Sequence, residues 1–528
     1  MLPAPLTLHD HALTSSQVVS VARHHALVNL GPDVGPRLNA SRGVVEEALG
    51  DGLPHYGINT GFGSLSRKRI AAAELGALQR NLIRSHAAGV SDPLDVEVVR
   101  AMMLLLAASL CRGCSGVRLA VVETLVGMLN KGITPVVPSV GSVGASGDLA
   151  PLAAIGLALI GEGTCTTRTS STPVLSSTAL ANAGIAPLVL EAKEGLAIIN
   201  GTHLMAGRGA LLVHDAEVSL DAAVIAAAMS LDACRGTDSS LDARIHAARR
   251  QPGQMHVAAA MRLLLRDSTI IPSHRENDPR VQDPYSLRCT PQVLGAAFDA
   301  LAYVTQAVGR ELGAVTDNPL VFSPSHALNT MLGENPSDLP GGGESIVSGG
   351  NFHGMPMAIP MDVLSIALTH AAGISERRVF WMISAFDAES RLKPYLAPDP
   401  GLNSGLMIAQ YTAAACCNEM ITLCTPSSVS NISTSAGIED YNSFGPRGAA
   451  KAARALELLN RVIAIEFLAA AEGLEHHRPL TSGSGIEAAH AMIRSMVPRL
   501  TDDRPLTADI EAIAHAIHAG RFQASDQD

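Results

Sequence analysis

Through the first two hundred residues the hydrophobic stretches are short, and glycine or proline breaks them every few positions; beyond about residue 205 they lengthen and take on helical spacing. Runs of the second kind cover Met205 to Ala233, Pro291 to Leu312, Met361 to Phe386, Leu406 to Cys424 and Ala449 to Gly473. Each is rich in Ala, Leu, Ile and Met and apolar around much of its circumference. A helix apolar on most sides must be enclosed by others, so the pattern predicts a mainly α protein with a central bundle of long helices. Strand-like alternation is scarce, and no repeat of about 20–50 residues is visible. Two regions follow: a loop-rich N-terminal region, 1–205, and a long-helix bundle, 206–528. The pattern also predicts a polar loop from Gly333 to Gly350, an exposed Ser/Thr-rich loop from Thr164 to Thr172, and a frayed tail after Arg521.

Composition narrows the class. Of 528 residues, 47% are hydrophobic, 16% charged and 3% aromatic, so little polar surface is available to cover the chain, and large subunit interfaces are expected. A net charge of -11 without clustered Lys and Arg argues against nucleic acid and anionic membranes as partners. Apolar runs such as Ala101 to Cys111 and Leu152 to Ile160 are shorter than the ~18 residues a membrane span needs. Met1 to Asp10 lacks the basic start and apolar centre of a signal peptide, which points to the cytoplasm. The eight cysteines, Cys111/Cys114 and Cys416/Cys417 among them, have no His or second Cys pair at metal-ligand spacing. They read as buried reduced thiols, and no metal is expected; His353 and His370 read as structural.

The chemistry centres on Gly144-Ala145-Ser146-Gly147-Asp148, followed by Leu149-Ala150-Pro151. Alone, Ala-Ser-Gly is a tight turn of small residues. Between residues without large side chains, however, the Gly147 amide nitrogen can approach the Ala145 carbonyl carbon. Loss of water from the resulting ring and from Ser146 leaves a conjugated methylidene imidazolone, a carbon electrophile that no encoded side chain supplies. Gly is required at 147 because a Cβ would obstruct the approach.

Seven blocks then carry a resemblance: Tyr56-Gly57-Ile58-Asn59-Thr60-Gly61-Phe62-Gly63, Ala145 to Pro151, Asn200-Gly201-Thr202, Gln282-Asp283-Pro284-Tyr285-Ser286-Leu287-Arg288-Cys289, Thr316-Asp317-Asn318-Pro319-Leu320, Gly349-Gly350-Asn351-Phe352-His353-Gly354 and Gly401-Leu402-Asn403-Ser404-Gly405. Over almost its whole length the sequence resembles the histidine and aromatic amino acid ammonia-lyases and aminomutases. The resemblance implies a homotetramer of mainly helical subunits, active sites assembled from three chains, and a 4-methylidene-imidazole-5-one (MIO) group made from Ala145, Ser146 and Gly147. It implies Tyr56 as the phenolic base at the substrate Cβ, with Asn200 and Tyr285 beside the prosthetic group, Asn200 on its oxygen. Arg288 matches the residue that clamps the substrate carboxylate, a planar bidentate role for which Lys is a poor substitute. Gln282 and Phe352 fall at substrate-binding positions.

Two further positions bear on the substrate. Ser85-His86 looks like the pair of histidine ammonia-lyases, and His86 can pair with a substrate imidazole. Glu439 resembles a carboxylate facing that imidazole; beside a phenyl ring it would lie unpaired, at a cost of several kcal/mol. Against this, Gly437-Ile438 replace the usual Asn-Gln, Tyr441 replaces a His, Gly354-Met355 replace Ala-Glu, and His203 replaces a Gln, exchanging polar groups for apolar or aromatic ones. The expected reaction is ammonia elimination from L-histidine to give trans-urocanate. The alternatives are a tyrosine or phenylalanine ammonia-lyase giving a cinnamate, an aromatic 2,3-aminomutase, and a non-catalytic homologue; the last would be marked by loss of Ser146, Tyr56 or Arg288, all of which are present.

Overall fold

The computed structural model describes residues 3–324, 326 and 344–522. The expected long helices are present as His203–Ala233, Thr290–Glu311, Met355–Ser384, Met407–Leu423 and Gly445–Glu475. The third begins earlier than its pattern suggests and runs through Pro360. An interior proline costs about 3 kcal/mol, so the pattern reads as starting only after Pro360. Burial of Met357, Ala358 and Met361 on the same stretch offsets that cost. Met355–Ser384 is long and apolar enough to cross a membrane, unlike the runs Ala101 to Cys111 and Leu152 to Ile160; 61% of its most apolar window is buried, as in a core helix.

The chain forms two compact units, each made of three segments. The first comprises residues 1–211, 305–361 and 427–449. Its strands are short: Leu6–Leu8 pairs in parallel with Val28–Leu30, and Ile133–Pro135, Thr164–Thr167 and Ser170–Leu175 form a three-stranded sheet. The Ser/Thr-rich stretch expected to be a loop is therefore largely a hairpin, because its Thr residues suit a pleated backbone. Residues 333–343 of the expected polar loop and 523–528 of the expected frayed tail lie outside the described residues. The helix Val96–Cys111 is buried along nearly all its length. Its Arg100, 1% exposed, donates to the carbonyls of Val21, Ala22 and Leu129, and burial lowers its pKa to about 10. A separate cluster of Val44, Val45, Ala48, Leu75, Ala192 and Val321 closes around Ile58 and anchors the loop that carries Tyr56.

The second unit comprises residues 212–304, 362–426 and 450–528. Its helices bury Ala, Leu and Ile, but Met407–Leu423 buries only Ala409, Ala413, Cys416 and Met420 and leaves Ile408, Tyr411 and Ile421 exposed, so this run is not enclosed within the chain as its pattern suggests. Asp232 accepts from the Ser268 and Ser482 hydroxyls, and burial raises its pKa to about 6. Arg378 and Glu466, both 0% exposed at their side chains, form a bidentate pair with contacts of 2.5 and 2.9 Å. The cysteines are all free, as expected. Five are buried, but Cys289, Cys417 and Cys424 are only half-buried: Cys289 and Cys424 follow the ends of short and long helices, and Cys417 lies on Met407–Leu423, which is buried at few positions.

Candidate active site

The tripeptide Ala145-Ser146-Gly147 is pinned at both ends. Upstream, the Gly144 carbonyl accepts from the Ser443 hydroxyl at 2.9 Å and the Gly354 amide at 3.2 Å, while the Phe444 amide donates to the Val143 carbonyl. Downstream, Gly147 bridges to Gly201, and the Asp148 amide donates to the Gly201 carbonyl at 2.7 Å. Gly147 has φ +76°, and a Cβ there would lie 2.1 Å from the Gly201 carbonyl oxygen. No side chain fits at that crossing. Next in the chain, the fully buried Asp148 carboxylate accepts from the Leu204 and Met205 amides and the Ser142 hydroxyl. It thereby satisfies amides in the first turn of His203–Ala233 that have no partner within the helix. Burial outweighs these hydrogen bonds and raises its pKa to about 7.

The Ser146 hydroxyl points at chemistry. It donates to Glu439 Oε1 at 2.7 Å, and Glu439 Oε2 accepts from the Thr434 hydroxyl at 2.9 Å. The carboxylate sits on a tight turn closed by Thr434 pairing with Glu439. Tyr56 shares this corner: its hydroxyl meets the Gly63 amide, and Glu439 acts on it electrostatically. Burial first, and Glu439 after it, push its pKa above 10, while the Gly63 contact opposes them. A phenolic base would be helped by cationic neighbours; here the charged group acting on Tyr56 is a carboxylate.

Asn200 stands beside the crossing. Its Nδ2 donates one hydrogen to the Asn318 carbonyl at 3.0 Å, and its buried Oδ1 has no partner. Behind it, Lys193 and Asp317, both buried, pair at 2.6 Å, and Asp317 also accepts from the Asn318 amide. His203 is buried, and desolvation with Arg112 lowers its pKa to about 3, so the ring is neutral. His86 closes the helix Leu75–His86, with Nδ1 2.9 Å from the Leu82 carbonyl. A carbonyl only accepts, so Nδ1 is engaged as a donor, and Nε2, free of protein partners among the described residues, is left for a substrate ring. Phe352, half-buried, precedes the Gly354 that bonds Gly144.

The first unit thus gathers Tyr56, Ala145, Ser146, Gly147, Asn200, Phe352 and Glu439 around one tripeptide, with His86 on its own helix end. Gln282, Tyr285 and Arg288 belong to the second unit. There the short helix Tyr285–Arg288 exposes Tyr285, and the Arg288 guanidinium stacks over its ring at 4.6 Å. Arg288 Nε is buried without a partner, and Gln282 is exposed. Among the described residues no group of His, Cys, Asp and Glu could hold a metal.

The model of the family described as aromatic amino acid lyase matches residues 13–495. The chain belongs to this family. The lyase is 45% identical over 524 residues to a histidine ammonia-lyase of Anaeromyxobacter dehalogenans, covering 98% of this chain and 99% of that one. Among solved structures it is similar to the histidine ammonia-lyase of Trypanosoma cruzi (TM-score 0.88, 36% identity, 98% and 94% of the two chains). It is equally similar to a tyrosine aminomutase of Streptomyces globisporus (TM-score 0.89, 34% identity, 98% of both chains). The lyase is therefore a mainly α carbon–nitrogen lyase that takes a small-molecule amino acid.

Sequence reading of this lyase passed over three residues of the site. Asp148 stands in a quoted block, but its bonds to Leu204 and Met205 cross more than fifty positions and leave no local pattern. Lys193 and Asp317 are a buried charge pair that only a contact between distant segments reveals.

Proposed function

We propose that the lyase eliminates ammonia from L-histidine to give trans-urocanate, using an MIO group formed from Ala145, Ser146 and Gly147. The observation that carries the proposal is the 2.7 Å hydrogen bond from the Ser146 hydroxyl to Glu439. It sets a carboxylate, which needs a polar partner, beside the atom whose loss creates the electrophile. The surroundings fit the group: Gly147 has no room for a side chain, the backbone is pinned on both sides, and Asn200 has a second amide hydrogen for a ring oxygen. Once formed, the group supplies a carbon electrophile that turns an amine into a better leaving group.

The chain's own residues do the rest. Arg288 holds the substrate carboxylate through paired N–H donors, with Gln282 and Phe352 framing the substrate. Glu439 and His86 Nε2 present acceptors to an imidazole N–H. Tyr56 takes the Cβ proton, the electron pair left behind forms the Cα=Cβ bond, and the amine departs. Tyr285 donates a hydrogen bond beside the group. The raised pKa of Tyr56 gives this base most reach at alkaline pH, and the substrate's ammonium supplies a cation at the site. The cytoplasm, a homotetramer with sites shared between chains, and a division of labour between residues 1–205 and 206–528 complete the proposal. The tetramer is supported by the exposed Leu402, Ile438 and Val429 and by the low charge content.

A second reading is favoured by Ile438 and Tyr441, both exposed beside Glu439, and by the tyrosine aminomutase likeness. In that reading the substrate is tyrosine and the amine returns to Cβ. Purified enzyme offered histidine, tyrosine and phenylalanine separately, with ultraviolet absorbance and chiral product analysis, tests both. Conjugated acid from histidine alone supports the first reading. A β-amino acid appearing before any free unsaturated acid overturns it.

A further inference from the structure

The buried pair Arg378–Glu466 reaches the backbone of the short helix that carries Tyr285 and Arg288. Glu466 is saturated: Oε1 accepts from Arg378 Nε at 2.5 Å and the Ser230 hydroxyl at 2.7 Å, and Oε2 accepts from Arg378 Nη2 at 2.9 Å and the Ser375 hydroxyl at 2.5 Å. The Ser230 and Ser375 hydroxyls hold the carboxylate, and its two-pronged pairing with Nε and Nη2 fixes the guanidinium plane, leaving Arg378 Nη1 facing away from Glu466. Nη1 donates to the Ser286 carbonyl and to the Thr290 hydroxyl, each at 3.3 Å, and that hydroxyl donates to the same carbonyl at 3.0 Å. The carbonyl lies between Tyr285 and Leu287, and Leu287 is 1% exposed. Upstream, the Asp283 carboxylate accepts the Thr237 amide at 2.7 Å and holds the other end of the segment.

A fully buried ion pair is weak as a stabilising device, because desolvation consumes much of the attraction. Its value lies in fixed geometry. We infer that Arg378, locked by Glu466, and Thr290 are positioning residues: they set the Ser286 carbonyl and so hold the Tyr285–Arg288 turn, with Arg288 stacked on Tyr285 and its Nε unpaired, in the orientation that receives a carboxylate. The inference rests on the carboxylate role proposed for Arg288.

The test compares the amino acid the enzyme turns over with its decarboxylated amine, histamine in the case of histidine, as a competitive inhibitor of the assembled enzyme. Thr290→Val and Arg378→Lys each remove contacts to the turn; Thr290→Val keeps side-chain volume, so the question stays answerable if the lysine variant fails to assemble. The expected result is a KM for the amino acid raised about tenfold, the equivalent of one charged hydrogen bond, with amine inhibition within about twofold of the parent. Arg288→Ala is expected to lose the same carboxylate preference. If both ligands weaken in parallel, or neither does, in the tether variants while Arg288→Ala loses the preference, the tether is overturned alone. If Arg288→Ala keeps the preference, the carboxylate reading falls and the tether with it.

Discussion

Two glutamates in this molecule are held in opposite ways. Glu466 is sealed from solvent, shares both oxygens with a guanidinium and takes two serine hydroxyls as well. Glu439 is half-buried on a turn, takes two hydroxyls and has no cation among its hydrogen-bond partners. The first has every lone pair and its charge accounted for inside one subunit. The second keeps its charge in reserve at the place where a hydroxyl must leave and a polar ring is to be received. A saturated carboxylate organises the fold; an incompletely satisfied one beside the Ala145-Ser146-Gly147 turn is where chemistry is expected.

The contrast breaks most sharply at Glu439's partner. Ser146→Ala is expected to take turnover below detection in an enzyme that still assembles and unfolds cooperatively, because the hydroxyl it removes is already lost from the mature parent; assays with purified variant and urea unfolding check both. Glu439→Gln keeps an acceptor but removes the charge, and kcat is expected to fall about 10²- to 10⁴-fold with stability nearly unchanged. Glu466→Gln should act first on stability, with any effect on activity appearing in KM through the Arg378 tether. It leaves the Arg378 charge buried and unpaired, costing about 3–5 kcal/mol of stability, read by denaturant or thermal unfolding. The smallest effect is the slope of the parent's pH profile, which Tyr56 carries. Because its pKa stands above 10, the deprotonated base becomes more abundant as pH rises, so kcat/KM should climb through the alkaline range. Tyr56→Phe should flatten that limb along with its large loss of kcat, and a profile level from neutrality upward in the parent would remove Tyr56 as the base.

How much was legible in the sequence follows from the range of each interaction. The long helices could be read because apolar periodicity is local; the third was read as starting after Pro360, which burial of Met357 and Ala358 overrode, and the last, Gly445–Glu475, extends beyond its apolar run at both ends. The Thr164–Leu175 hairpin was misread because Ser and Thr suit both loops and strands. The Ala145-Ser146-Gly147 site was legible because its chemistry is written in three consecutive residues. The Ser146–Glu439 contact spans 293 positions, and the Lys193–Asp317 and Arg378–Glu466 pairs are likewise distant, so no window could show them. Glu439 was singled out through likeness to a family stretch, and its place beside Ser146 came only with the fold.

Intact-protein mass spectrometry tests the central claim directly. The account predicts a parent enzyme lighter than its sequence mass by two water molecules, the deficit mapping to the peptide containing Ala145, Ser146 and Gly147, and a Ser146→Ala variant without the full deficit. A parent enzyme that is active yet carries its complete sequence mass would contradict it.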